Sequence, residues 1–92
     1  MKKDARFYFA NLGADVARCV QAAQNTDTKR YDDALNRARR TLGFLREASR
    51  PEAYEEGLLL LRGLEYARRD GMLAPFLLNV QSITTHFSPL TN

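Results

Sequence analysis

Ala48-Ser49-Arg50-Pro51-Glu52-Ala53 divides this chain near its middle. Ser49 followed three residues later by Glu52 is the pattern of a capping box. There the serine accepts a bond from a free backbone N–H of the first turn, and the glutamate reaches back to the cap. Pro51 falls in that same turn, where its missing N–H removes no helical bond. The pattern predicts that one helix starts here and another ends just before it.

The same sequence of stop and start recurs on either side. Toward the N-terminus stands Asn25-Thr26-Asp27-Thr28, in which Asp27 or Thr28 suits an N-cap. Toward the C-terminus stands Asp70-Gly71, with Pro75 just beyond; Gly71 suits the left-handed residue that ends a helix. Helices are thus predicted over about 4–24, 28–48, 51–70 and 73–87. No Asn-Gly turn or alternating β-branched run argues for strands. Each connection is only a few residues long, which makes successive helices antiparallel neighbours. The expected fold is all-α, an antiparallel up-down-up-down four-helix bundle forming one domain over residues 1–92. The alternative is a three-helix bundle whose last helix docks on a partner chain.

Each segment carries an apolar stripe at helical spacing. In the first it is Phe9, Leu12, Val16, Cys19, Val20 and Ala23, flanked by the small residues Ala10, Gly13, Ala14 and Ala17. In the second it is Tyr31, Ala34, Leu35, Ala38, Leu42 and Leu45, with Asp33 and Arg37 spaced for an ion pair on the polar side. In the third it is Tyr54, Leu58, Leu61 and Leu64, flanked by Ala53, Leu60 and Ala67. In the fourth it is Met72, Leu73, Phe76, Leu77, Val80, Ile83 and Phe87, with Pro75 tolerable in the first turn. The tail after Phe87 is expected to fray.

The chain has 92 residues, 45% hydrophobic and 27% charged, the balance of an ordinary globular domain. Its net charge of +3 permits an acidic partner without requiring nucleic acid. Lys2, Lys3 and Lys29 are the only lysines, so the remaining basic side chains are arginines, suited to bidentate contacts with carboxylate or phosphate. Cys19 is the single cysteine, which rules out an intrachain disulfide and suggests a reducing interior. The N-terminal region leads into no long apolar run: Asp15 and Arg18 interrupt it. A cytoplasmic protein without a membrane span is expected.

No catalytic, metal or cofactor set emerges. Cys19 sits on the apolar stripe, where a thiol is ordinarily a small buried hydrophobe. One histidine, His86, and one cysteine do not make a structural zinc site. Glu52, Glu55 and Glu56 cluster at a helix start, where the dipole favours acid. The five glycines are scattered, so no loop cradles phosphate. Gln81 stands five residues before His86, where some helical ribonucleases carry an arginine.

Two surfaces exceed what a plain monomer needs. Leu59, Gly63 and Tyr66 lie together on the third segment, and Leu78 projects away from the stripe of the fourth. From Met72 onward the chain has no Asp, Glu, Lys or Arg. Aligned apolar residues of this kind mark contact surfaces. The leading expectation is therefore a non-enzymatic protein–protein interaction module, pairing with itself as a homo-oligomer or with another helical protein. On the second segment, Phe44 falls among charges beside Arg37 and Arg40. An aromatic side chain among arginines suits an acidic partner or RNA, or else Phe44 covers the end of the core near Ser49 and Pro51. A third possibility is a small helical enzyme with an arginine-lined site for an anionic substrate.

Overall fold

The computed structural model describes residues 4–87, with side chains through residue 82. Four helices follow in order: α1 (Ala5–Gln24), α2 (Thr28–Arg46), α3 (Pro51–Asp70) and α4 (Leu73–Phe87). Among the described residues there is no strand. Cross-helix contacts establish the directions. Tyr8 near the start of α1 stacks on Phe44 near the end of α2. Arg68 near the end of α3 covers the ring of Tyr31 near the start of α2. Gly63 of α3 faces Phe76 of α4 across the turn that joins them. Neighbours are therefore antiparallel, in up-down-up-down order. Among the described residues α1 packs against all three other helices, whereas the α2 and α4 backbones do not come close. The bundle is thus compressed along the α1–α3 diagonal.

Local chemistry explains most of the helix ends. Asp4 and Asp27 are the N-caps of α1 and α2; each carboxylate accepts a 3.1 Å bond, from the N–H of Phe7 and of Arg30 respectively. Gly71 closes α3 at φ 71°, and the Met72 N–H donates to the Ala67 carbonyl at 2.8 Å. Thr26 does the same for α1 at φ 53°, with Asp27 N–H donating to Ala22 at 2.8 Å. A β-branched residue takes this conformation only against steric resistance. Pro75 lies in the first turn of α4, as its chemistry demands.

The central capping box does not form. Ser49 has φ 60°, a left-handed residue that reverses the chain, so Arg50 occupies the N-cap position and caps with no side-chain bond. Glu52 instead accepts from Arg50 Nε at 2.6 Å. Helix α2 also ends at Arg46 rather than Ala48, because Glu47 and Ala48 donate three residues back, to Phe44 and Leu45, tightening the last turn.

The core is built from Phe9, Leu12, Val16 and Val20 of α1, Ala38 and Leu45 of α2, Leu60 and Leu64 of α3, and Val80 of α4. Phe76 packs against both halves of it. The expected stripe of α3 is displaced. Its buried face is Ala53, Gly57, Leu60, Leu64 and Ala67, while Leu58 is exposed and Tyr54 and Leu61 are half-buried. The small residues let α3 sink onto its neighbours: a Cβ on Gly57 would lie 2.8 Å from Leu42, 2.9 Å from Leu12 and 3.1 Å from Leu45. Met72, expected in the stripe of the fourth segment, precedes α4 and is exposed rather than part of the core. The side chains of Ile83, His86 and Phe87, and the tail, lie outside the described residues.

Candidate functional site

Two surfaces on opposite edges of the bundle carry features that packing alone does not require. The first is the outer groove between α1 and α2. Asp15 points into the bundle and is only 3% exposed. Its carboxylate is held by Arg18 Nη1 at 2.7 Å, one turn along α1. Thr41 of α2 approaches the other carboxylate oxygen at 3.4 Å, but its single hydroxyl proton has a nearer acceptor, the Arg37 carbonyl at 3.1 Å. The Asp15–Thr41 contact is therefore the weaker of the two. Arg18 keeps its side chain more than half in solvent, so Asp15 anchors one edge of the guanidinium and leaves the other edge outward.

Below this pair the groove widens into a cleft of about 450 Å³. Arg18 reaches it from α1, and Arg30 and Arg37 reach it from α2, with Asp27 and Asp33 on its wall. Asp27 is matched by Arg30 at 3.4 Å. Asp33 pairs with Lys29 at 3.6 Å, not with Arg37 as its spacing predicted. Arg37 has no ion-pair partner among the described residues. Arg40 is exposed and does not line the cleft. Phe44 is 48% exposed and stacked on Tyr8, with ring centroids 5.5 Å apart and planes 28° apart. Through this stack it covers the end of the α1–α2 seam at which Tyr8 lies. Arg37 thus joins Arg18 and Arg30 in the cleft, and Arg40 and Phe44 stay outside it.

Reading the sequence missed Asp15, although a signal was present. It stands three residues after Leu12 and four before Cys19, on the edge of the apolar stripe, with an arginine three residues on. A carboxylate so placed has to be either splayed out or paired.

The second surface is the outer side of α3 and α4. Leu59 is 58% exposed, Leu78 69%, and Tyr66 and Met72 about half. Tyr66, Asp70, Met72, Pro75, Phe76 and Asn79 line a shallow groove of about 260 Å³ between the two helices. Gly63 is half-buried beneath them; a Cβ there would sit 2.8 Å from Phe76 Cε1, so its bareness lets α4 approach α3. Leu59 and Tyr66 flank this contact on the outside. The Arg69 guanidinium lies 4.9 Å from the Tyr66 ring centroid at the rim.

Cys19 has no accessible surface. Burial, with a smaller contribution from the Asp15 carboxylate, raises its pKa to about 11 against the lowering effect of Arg68. It is therefore a neutral thiol at ordinary pH and not a nucleophile. Burial likewise raises the Tyr31 phenol, partly offset by Arg68 above its ring. Among the described residues no three metal-ligating side chains converge, and no helix is long and apolar enough to cross a membrane. No known protein family matches the chain, and neither a curated protein nor a solved structure is detectably similar to it.

Proposed function

We propose that this chain is a helical protein–protein interaction module that pairs with a second copy of itself through the α3–α4 face. The observation that carries this reading is the exposure of Leu59, Tyr66, Met72 and Leu78 on α3, α4 and the turn between them, with Tyr66 and Met72 lining one groove and α4 carrying no formal charge. Exposed apolar side chains are ordinary when scattered but not when several gather on one pair of helices. A two-fold dimer needs a patch that complements itself, and here the charges at the groove, Arg69 and Asp70, offset each other as an ion pair. Helix α3 is roughly 30 Å long and two adjacent helices span roughly 20 Å, so the face offers about 600 Å² per chain. Two copies would bury about 1,200 Å², the lower end of stable interfaces. A domain this small also has the most to gain from added burial. The single buried thiol suits a reducing, cytoplasmic setting.

Analytical ultracentrifugation at micromolar concentration tests the reading. The wild-type chain should sediment as a dimer. Leu78→Glu and Leu59→Glu, each placing a charge on a side chain already mostly in water, should give a folded monomer. A wild-type monomer across that range would end the proposal. So would a dimer that both substitutions leave intact.

A further inference from the structure

We infer that the α1–α2 cleft is a binding site for a small organic phosphate, whose phosphate group is held by Arg37 and Arg18 with Arg30 at the edge. This inference does not depend on self-association. The cleft's volume of about 450 Å³ falls within the range of small-molecule sites. That is ample for a phosphate group together with a sugar-sized remainder.

The charges around the cleft show where an anion belongs. Asp15 is matched by Arg18, Asp27 by Arg30, and Asp33 by Lys29. Each carboxylate near the cleft thus has its own cation, and Arg37 remains over. Its guanidinium has five N–H donors and no ion-pair partner among the described residues. Arg18 keeps its outward donors because Asp15 engages it from the buried side. The donors left over on three guanidiniums exceed what the two oxygens of a carboxylate accept, and fit the three terminal oxygens of a phosphate monoester better.

The buried Asp15 is the second strand of the argument. Taking a carboxylate out of water is expensive, and a buried ion pair is weak evidence of a stabilising role. Apolar replacement of a buried charged group is often neutral or stabilising. What Asp15 does accomplish is to fix the direction of Arg18, removing conformational freedom that ligand binding would otherwise have to remove. Asp15 is thus a positioning residue for Arg18. The neutral amides of Gln21 and Asn25 on the same wall suit the hydroxyl groups of the remainder of the ligand.

The test is titration of the full chain with ribose 5-phosphate, followed by amide chemical-shift mapping, with ribose and sodium chloride of matched ionic strength as reference titrants. Saturable shifts confined to the α1–α2 cleft are expected for the phosphate, and none for ribose. Arg37→Gln should weaken binding about tenfold or more, the loss expected for a charge-assisted contact. Arg40→Gln removes the same charge from the same helix outside the cleft and should leave binding unchanged. Asp15→Asn should weaken binding while leaving the shifts of bound Arg37 in place, which a general loss of fold would not do. Equal losses in Arg37→Gln and Arg40→Gln would reduce the effect to diffuse charge and overturn the site. Shifts no larger than those from chloride would overturn it as well. A single-stranded RNA oligonucleotide that binds more tightly, with a footprint running over Arg40 and Phe44, would replace it with a nucleic-acid surface.

Discussion

Gly57→Ala and Gly43→Ala make the same chemical change at two helical positions and should shift stability in opposite directions. Alanine is favoured over glycine in a helix interior by about 1 kcal/mol. A Cβ on Gly43 meets nothing within 4 Å, so the exposed position near the end of α2 should register that preference alone, a gain of about 0.5–1 kcal/mol. A Cβ on Gly57 meets three leucine methyl groups at 2.8, 2.9 and 3.1 Å. Leu42 is half-buried and free to turn away. Leu12 and Leu45 have no accessible surface, so neither yields without moving a neighbour. Overpacking of this kind costs about 1–3 kcal/mol. With two of the three contacts unable to relax, the upper half of that range applies. After subtracting the helix preference, Gly57→Ala should lose about 1–2 kcal/mol. In a domain of this size that lowers the midpoint of thermal unfolding by roughly 5–15 °C. Urea and thermal unfolding monitored by far-UV circular dichroism measure both variants against the wild type. If Gly57→Ala proves as stable as Gly43→Ala, α3 does not sit as deep between α1 and α2 as its small residues imply. The reasoning about the displaced stripe then fails with it.

Cys19 gives a pH-dependent expectation. In the unfolded chain its thiol titrates near 9.0, whereas burial raises it to about 11 in the fold. Stability from this group is therefore complete below about pH 9 and lost as pH rises toward 11, at about 1.4 kcal/mol per pH unit, or roughly 3 kcal/mol in all. Cys19→Ala should flatten the stability profile between pH 9 and 10, while the raised Tyr31 phenol still contributes above that. A profile whose slope the substitution leaves unchanged would contradict the assignment. Phe44→Ala removes one half-exposed ring from a stacked pair, so about 1–2 kcal/mol is expected rather than the 3–5 kcal/mol of a core aromatic. Chemical denaturation measures it, and a loss in the core range would mean that Phe44 is buried in solution.

What the sequence discloses about this fold divides by the range of the interactions involved. Asp27, Gly71 and Pro75 act within a turn of their own positions, and the helix limits they imply agree with the structure. Ser49 does not behave this way, because the same four residues also have to reverse the chain. Reversal took the left-handed conformation and moved the cap position to Arg50. The stripe of α3 was misplaced for a different reason. A helical wheel weighs side chains, and Gly57 has none, yet its bareness determines where the axis can go. For the candidate sites, the exposure of Leu59, Tyr66 and Leu78 follows from their angular distance from the core. The burial of Asp15 does not, because it depends on Thr41 arriving from another helix twenty-six residues later.

The charge distribution follows from the order of the helices. Helix α1 touches every other helix, and among its polar residues Arg18 and Gln21 face the cleft beside α2. Arg18 is paired there with Asp15, and the amphipathic α2 supplies Arg30 and Arg37 opposite. Helix α4, by contrast, has no charged residue to offer α3, so the charge at the seam on the far side of the bundle, Asp70 in the groove and Arg69 at its rim, comes from α3. The α2 and α4 backbones do not come close among the described residues, but their side chains share one cluster: Phe76, which lines the α3–α4 groove, packs on the group that includes Ala22 and Ala34 of the cleft wall. A phosphate in the α1–α2 cleft would leave the α3–α4 face open, and a second copy on that face would leave the arginines in solvent. Coupling between them would travel through that cluster by way of Leu64, which is fully buried, so a close-packed core and not solvent lies between the two surfaces.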